Sequence, residues 1–484
     1  MSRIVQKFGG TSVKDPEHIG KVAEIVAETY SQNKQVVVVV SAMGHGTDEL
    51  IDLALKVDEN PEPRELDVLL ATGEQVSIAM LSIALRSMGL KARSFTGPQA
   101  GILTDETHGF ARIKTVHPSR IESSLRRGEI PVVAGFQGMN GNSELTTLGR
   151  GGSDTTAVAL AAALKAECCD IYTDVDAVYT TDPRTVESAR KLGVISYEEM
   201  LALANSGAQV LNARSVELAM NNSVPIRLRS TFAPENTGTL VTTKDIAPEH
   251  NVCGVACDAS RVWVRIAISQ SFNAQESVGD FADNFSKQED AVQHLLSTLI
   301  SLGIDKEIIS LKRANGINAS WLEFHCEKRI LRDVQSVLAG STNQLPDLDY
   351  RIDTGLALVS LVGAGIDRDY LISDNLAQVL RKNAIPILMQ TQQVLRSSIL
   401  IPGAFKEQAV KLVHEVFCST TAEAYSKLSK LELEAEKLAL ARAEEATGST
   451  SAGLMFVAEL GAMTDPIVSE SNELDYHVET EARR

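Results

Sequence analysis

The run QVVVVVSAMG, residues 35–44, constrains the fold of this chain more than any other stretch. Five consecutive valines predict a strand that is buried on both faces, as strands are in parallel sheets that helices cover. Further strand signals alternate with helical periodicity through the first half of the chain, including a long helical stretch from Arg64 to Gly89. The alternation predicts an α/β domain whose mostly parallel sheet lies between two layers of helices.

The composition is that of a globular chain with an acidic balance. With 484 residues, 44% of them hydrophobic, the chain is long enough for two or three domains. The net charge of -17 argues against nucleic acid and anionic membrane surfaces as partners. The N-terminus lacks an apolar signal sequence and no uncharged run reaches membrane-spanning length, so we expect a cytoplasmic protein.

The second half of the chain has shorter units than the first. A turn-rich stretch predicts a boundary, and we place the first domain at residues 1–241 and a linker at 242–252. Residues 253–420 contain two successive βαββαβ patterns, each a split βαβ arrangement of the α+β class. For residues 421–484 we expect a charged helix followed by a poorly ordered tail.

The segment KFGGTS, residues 7–12, suits a phosphate site. Its Gly-Gly pair lets backbone N–H groups approach a polyphosphate, and Lys7 adds a positive charge. These residues alone favour a plain turn after a strand, because their spacing matches neither common phosphate fingerprint. Three such segments follow predicted strands, however, and ligands bind beyond the carboxyl ends of parallel strands. This shared position favours the phosphate site.

The glycine loop GRGG, residues 149–152, contains Arg150 and precedes an Ala-rich helix. Ser153 and Asp154 open this helix, where capping is the ordinary role of such residues. Arg150 has nothing obvious to cap. A guanidinium beside free N–H groups at a helix start suits a carboxylate ligand.

Two more stretches place charge in unusual settings. Glu74 lies in a largely apolar helix, and a buried carboxylate needs a partner, either a structural Lys or Arg or the ammonium of a ligand. The segment YTDVDAVYTTDPR, residues 172–184, crowds hydroxyls and carboxylates with an arginine after a strand. It predicts either a turn-rich loop or a nucleotide loop.

Five motifs in order, KFGGTSV, VSAMGHGTDEL, ATGEQVS, GRGGSDTTA and YTDVDAVYTTDPR, resemble those of the aspartokinase family, which has the amino-acid kinase fold. The tandem units resemble the ACT domains that follow the kinase domain in this family, where the first unit is inserted into the second. The resemblance implies transfer of the ATP γ-phosphate to the β-carboxylate of L-aspartate, giving 4-phospho-L-aspartate for lysine, threonine and methionine biosynthesis. It also implies Mg²⁺ bound chiefly by ATP oxygens, without protein metal ligands, and a homodimer or higher homo-oligomer assembled through the ACT-like domains.

The resemblance also implies roles for individual residues. Lys7 and Asp154 are the expected catalytic residues, with Asp154 orienting Lys7 and the metal-bound phosphates. Thr47, Glu74, Arg150 and Ser153 would hold aspartate, with Glu74 on its ammonium and Arg150 on its α-carboxylate. The residues expected to bind ATP are Lys7, Phe8, Gly9, Gly10, Thr11, Thr173, Asp174, Tyr179, Asp182, Arg184 and Gln209.

The chemistry agrees with the residue types in these motifs. A carboxylate nucleophile has a reference pKa of about 3.9 and is already ionised at neutral pH, so no general base is needed. Catalysis then depends on positioning and on neutralising charge at the transferring phosphoryl group.

Two features depart from the family pattern. The segment SGAQVLNARS has Gln209 where many members have Lys, and Asn212 where they have His. The ACT-like units lack the Pro-Gly pair that opens an effector-binding helix, and Asp367 and Asp369 would repel an effector carboxylate. We therefore expect weak or altered feedback inhibition by lysine and threonine.

Two alternatives for the function stay open: another carboxylate kinase of the same fold, or a non-catalytic amino-acid sensor.

Overall fold

The computed structural model describes residues 2–208, 210–244, 251–269, 278–302, 304, 308–313, 319–342, 345, 348–366 and 370–418. The first part of the chain contains, in order, β1 (Arg3–Phe8), α1 (Pro16–Ser31), β2 (Gln35–Val40), α2 (Gly46–Leu55), α3 (Pro63–Ser87), β3 (Ala92–Phe95), β4 (Ile102–Thr104), β5 (Ile113–Val116), α4 (Ser119–Arg126), β6 (Ile130–Ala134), β7 (Gln137–Met139), β8 (Leu145–Thr147), α5 (Gly152–Ala163), β9 (Cys168–Thr173), β10 (Val178–Tyr179), β11 (Lys191–Leu192), β12 (Val194–Ser196), α6 (Tyr197–Asn205), α7 (Ala213–Asn221), β13 (Ile226–Ser230) and β14 (Thr239–Thr242). The second part contains β15 (Gly254–Ser269), α8 (Val278–Ser301), β16 (Ser310–Arg313), β17 (Ala319–Glu327), α9 (Leu331–Ser341), β18 (Leu348–Val362), α10 (Tyr370–Lys382), β19 (Met389–Gln393), β20 (Arg396–Pro402) and α11 (Lys406–Phe417).

An eight-stranded sheet in the order β12-β14-β13-β9-β1-β2-β6-β3 organises the first part. Neighbouring strands are parallel, apart from the antiparallel pair β13 and β14. Helices α1 and α3 pack on one face and α4 to α7 on the other. The valines of β2 alternate between these two cores, with Val37 and Val39 on one side and Val36, Val38 and Val40 on the other. The predicted parallel sheet between helix layers is confirmed.

Helix α3 is long and apolar enough to span a membrane by length and composition alone. Its Ile78, Leu81 and Leu85 are buried against the sheet beside α1, as expected for the apolar face of a core helix. The helix ends at Ser87, two residues before the predicted end at Gly89.

A four-stranded sheet in the order β5-β4-β7-β8 lies beside the chain that leads to the glycine loop. Strand β7 begins three residues after β6 ends, and β8 returns antiparallel to β7. Because β8 ends at Thr147 and α5 begins at Gly152, the glycine loop connects this small sheet directly to a helix of the main domain.

The second part forms one antiparallel sheet in the order β16-β17-β15-β18-β20-β19. The long strands β15 and β18 pair along most of their length. The later half of β15, with α8, β17, α9 and the start of β18, encloses one core; the rest of β15 and β18, with α10, β20 and α11, encloses another. The two predicted α+β units therefore share their central strands, with the first inserted into the second.

Several predictions fall on residues outside this description. They concern Gln209, the effector-repelling Asp367 and Asp369, and the helix and tail at 421–484. The domain limits at 241 and 252 and the weak feedback inhibition also stay predictions.

Candidate active site

The loops after β1 and β2 pack closely against each other. Gly9 N–H donates to the carbonyl of Tyr172 at 3.2 Å, and Gly44 N–H donates to the carbonyl of Gly10 at 3.0 Å. A β-carbon at Gly10 would lie 2.8 Å from the Gly44 oxygen and 2.9 Å from the Ala42 oxygen. Only glycine fits there, because such contacts are shorter than van der Waals distances. Gly10 is thus required by packing, and the turn stays open to an approaching phosphate.

Lys7 and Asp154 form a nearly buried ion pair. Lys7 Nζ lies 2.5 Å from Asp154 Oδ1, and the two side chains are only 11% and 12% exposed. Lys7 comes from β1, and Asp154 lies in the first turn of α5. The structure therefore brings together the two residues predicted to be catalytic, and the carboxylate fixes the lysine ammonium at the glycine turn.

Glu74 has a buried carboxyl group, and only one of its two oxygens has a hydrogen-bond partner in the described part of the chain. Its Oε1 accepts a hydrogen bond from Ala42 N–H at 3.0 Å, and its Oε2 has no hydrogen-bond partner in the described part of the chain. Burial raises the pKa of Glu74 to about 8, although the Ala42 hydrogen bond opposes the shift. Close packing of Gly73 on Ala42 brings α3 to this position. Because no cation pairs with Glu74 among the described residues, the ligand-ammonium alternative is favoured over a structural partner.

Arg150 projects from a loop whose two flanking glycines are left-handed. Gly149 has φ 73° and Gly151 has φ 75°, a conformation that glycine adopts without a steric penalty. Gly151 is the N-cap of α5 and no side chain caps that helix. Ser153 and Asp154 therefore do not act as caps, contrary to the ordinary role of such residues. Ser153 instead packs on Gly135, at the end of β6.

Three more of the predicted aspartate and ATP residues lie on β1, directly after it, or at the start of α2. Thr47 lies in the first turn of α2, directly after the loop that contains Gly44. Phe8 is buried and its ring stacks on Tyr172 at 4.6 Å between centroids. Thr11 is exposed in a 3₁₀ turn that follows Gly9.

The predicted nucleotide loop, residues 172–184, begins next to the glycine turn that follows β1. Thr173 ends β9, the neighbour of β1, and its hydroxyl donates to Asp174 at 3.0 Å. Asp182 and Arg184 form an exposed ion pair, with Arg184 Nη2 and Asp182 Oδ2 2.9 Å apart. The Arg184 guanidinium lowers the pKa of Asp182.

Tyr179 belongs to the hairpin of β10 and β11. Its hydroxyl donates to Asp176 at 2.9 Å, and Lys191 Nζ lies 2.5 Å from the same carboxylate. Asp176 therefore fixes the Tyr179 hydroxyl on this hairpin and pairs with Lys191 at the same time.

Comparison with known proteins identifies the family. The profile of the Amino acid kinase family matches residues 2–230. Aspartokinase of Geobacillus stearothermophilus is 44% identical over 418 residues, which cover 86% of this chain and 97% of that protein. Aspartokinase of Bacillus sp. (strain MGA3) is 43% identical over 419 residues, which cover 86% of this chain and 97% of that protein. The chain belongs to the aspartokinase family.

A solved aspartokinase shares the fold. E. coli aspartokinase III, in complex with aspartate and ADP in its R-state, matches with a TM-score of 0.70 and 25% sequence identity. The match covers 85% of this chain and 98% of that chain. Family membership makes the chain an aspartate kinase, an ATP-dependent transferase of amino-acid biosynthesis. The predicted family, fold class and enzyme class are confirmed, and aspartate kinase is favoured over other carboxylate kinases.

Two hydrogen bonds that the sequence motifs did not reveal hold loops of the candidate site in place. Ser12 and Thr231 hydroxyls lie 2.6 Å apart and are buried, so they join the 3₁₀ turn of the phosphate loop to the end of β13. Asn212 Nδ2 donates to the carbonyl of Arg150 at 3.0 Å. Each contact joins distant parts of the sequence, and only the order of the strands and helices brings them together.

Proposed function

We propose that this aspartokinase phosphorylates the β-carboxylate of L-aspartate, with Glu74 on the substrate ammonium and Arg150 on its α-carboxylate. The observation that carries the proposal is the free Oε2 of Glu74, buried and without a hydrogen-bond partner in the described chain. An ammonium at this oxygen would satisfy it and would favour the charged carboxylate. Arg150 is exposed on its glycine-flanked loop, where a guanidinium can bind a carboxylate by two parallel hydrogen bonds. Thr47 and Ser153 would complete the aspartate site.

The ATP phosphates belong at the glycine turn in this proposal. Lys7, Gly9, Gly10 and Thr11 would bind them, because the glycine turn and the Lys7 ammonium lie at the end of β1. The nucleoside would extend along Thr173, Asp174, Tyr179, Asp182 and Arg184, with Phe8 beneath the turn and Gln209 as a further predicted contact.

Mg²⁺ fits the donors of this site. No group of three or more His, Cys, Asp or Glu residues in the described part of the chain could hold a metal ion, whereas Asp154 offers a carboxylate beside the phosphate turn. ATP oxygens would chiefly hold the Mg²⁺, which suits the preference of this ion for substrate phosphates, and Asp154 would orient Lys7 and the metal-bound phosphates. When bound, the ion neutralises charge on the phosphate oxygens.

The chain's own residues then have three tasks. Glu74 and Arg150 orient aspartate so that its β-carboxylate faces the terminal phosphate. Lys7, held by Asp154, stabilises negative charge on the transferring group. No residue has to accept a proton, because the β-carboxylate is ionised at neutral pH.

Assembly and location are further parts of the proposal. We propose that the six-stranded ACT-like sheet joins two or more copies of the chain, and that the enzyme works in the cytoplasm, where ATP and aspartate are available. Analytical ultracentrifugation of the full chain tests the assembly, since a monomer at micromolar concentration would contradict it.

A hydroxamate assay tests the proposed reaction. Purified chain with Mg·ATP should form an acyl phosphate from L-aspartate and not from glutamate or acetylglutamate. Lys7→Ala should lower kcat roughly 10²-fold or more, because a preorganised charge is lost from the transition state. Arg150→Ala should act mainly through the KM for aspartate, because it binds a group that does not react. Equal effects of both variants on kcat would contradict these roles.

A further inference from the structure

The Arg150 loop passes between two side chains from distant parts of the chain, those of Phe110 and Asn212. A β-carbon at Gly149 would lie 2.9 Å from the ring of Phe110, and one at Gly151 would lie 2.2 Å from Asn212 Nδ2. Both glycines are left-handed. Phe110 and Asn212 therefore occupy the space that a side chain would need at Gly149 and Gly151.

Asn212 connects the loop to the start of α7. Its Nδ2 donates to the Arg150 carbonyl at 3.0 Å, and its Oδ1 accepts from Arg214 N–H at 2.9 Å as the N-cap of the helix. Arg214 Nη1 donates to the carbonyl of Leu148 at 3.0 Å. Two donors from one helix start thus bind carbonyls on both sides of Gly149, and the amide of Asn212 uses both its ends.

Phe110 is fixed from below although its side chain is 56% exposed. The loop that carries it is anchored on Asp67, which is 1% exposed and accepts from Gly109 N–H at 3.1 Å and from the Thr147 hydroxyl at 2.5 Å. His108 Nδ1 lies 2.8 Å from the same carboxylate. Since Thr147 ends β8, one buried carboxylate holds both the Phe110 loop and the strand that leads into Gly149.

We propose that Asn212 is a positioning residue for aspartate binding that acts through Arg150, with Phe110 as the opposite wall of the loop. The inference rests on the proposed role of Arg150 in binding the α-carboxylate. A loop with three glycines among four residues has many conformations to lose when a ligand binds. By holding the Arg150 carbonyl, Asn212 limits those conformations before aspartate arrives, and preorganisation of this kind improves affinity.

A double-mutant cycle in the full chain tests the inference. Asn212→Ala should raise the KM for aspartate roughly tenfold, the order expected for one lost hydrogen bond that orders a loop. The kcat and the KM for ATP should stay within about twofold, because the loop binds an unreactive part of aspartate. In an Arg150→Ala background, Asn212→Ala should have no further effect on the KM for aspartate.

The same cycle separates this inference from the proposed function. If Asn212→Ala raises the KM for aspartate by the same factor with and without Arg150, Asn212 acts independently and the inference is wrong. If Arg150→Ala alone leaves the KM for aspartate unchanged, the proposed role of Arg150 is wrong, and the inference fails with it.

Asn212→Ser separates positioning from helix capping. Serine retains an acceptor for the N-cap of α7 but is too short to donate to the Arg150 carbonyl. We expect Asn212→Ser to keep the wild-type melting temperature and to raise the KM for aspartate as Asn212→Ala does. Asn222→Ser is the matched control, because Asn222 caps the other end of α7 and donates to Leu218. A wild-type KM in Asn212→Ser, or an equal rise in Asn222→Ser, would overturn the inference.

Discussion

At the scale of a single residue, the burial of Glu74 should make the binding of aspartate depend on pH. Burial raises its pKa to about 8, so the free enzyme holds it largely protonated at neutral pH. The substrate ammonium needs the carboxylate form, and binding must therefore release a proton. We expect the KM for aspartate to fall as the pH rises from about 7 to about 9, where Glu74 ionises without ligand. Steady-state kinetics across this range measure the effect.

The variant Glu74→Gln supplies the control and a stability test. Glutamine is neutral at every pH, so aspartate should bind more weakly and the fall in KM with pH should disappear. The folded-state pKa of Glu74 lies above its unfolded value, so the native state binds the extra proton and loses stability as the pH rises from about 4.5 to about 8. Glu74→Gln should lack this decline in melting temperature, and an unchanged decline would contradict the assignment.

At the scale of the element, one buried hydrogen bond joins the 3₁₀ turn after β1 to the end of β13. Ser12 and Thr231 are buried and their hydroxyls are 2.6 Å apart. Ser12→Ala leaves the Thr231 hydroxyl unpaired, which should lower the free energy of unfolding by about 1–3 kcal/mol. The KM for ATP should rise, because the same turn contains Gly10 and Thr11. Urea unfolding and ATP kinetics measure the two effects.

The double variant Ser12→Ala with Thr231→Val is the matched control. Valine has nearly the shape of threonine and removes the unpaired hydroxyl, so the double variant should regain much of the lost stability. No recovery would show that Ser12 acts through packing alone. The sequence predicted this turn and its phosphate role, but the partner lies 219 residues away and no local pattern indicates it.

At the scale of the whole molecule, the sequence predicted the classes of structure better than their connections. Five valines in β2 indicated a strand buried on both faces, and the helical periodicity of α3 indicated a long helix; both elements form. The shared strands β15 and β18 pair between residues about a hundred positions apart, and pairing at that distance depends on the packing of both cores. Asn212 was noticed only as a departure from family sequences, because its contact with the Arg150 carbonyl depends on how α7 meets the glycine loop.

Two contacts link the hairpin of β10 and β11, the predicted nucleotide hairpin, to α11 of the ACT-like part and its C-terminal end. Thr180 directly follows Tyr179, and its hydroxyl lies 2.8 Å from Nε2 of His414 on α11. Arg190, on the same hairpin, donates to the carbonyl of Cys418 at 2.9 Å. Burial, with a smaller contribution from Arg190, lowers the pKa of His414. The neutral imidazole is therefore the form that this contact between the two parts accommodates.

The sign of the pH dependence follows from that shift. Below a pH of about 6.5 the unfolded chain protonates this histidine and the folded chain resists, so stability falls as the pH drops through that value. His414→Gln keeps a polar side chain that can bond Thr180 but does not titrate. We expect its melting temperature to decline less than that of the wild type between about pH 7 and about pH 5. Because the contact supports the hairpin that carries Tyr179, the KM for ATP should rise in acid in the wild type and less in the variant. Identical acid profiles of the two proteins would show that protonation of His414 does not couple the ACT-like sheet to the nucleotide hairpin.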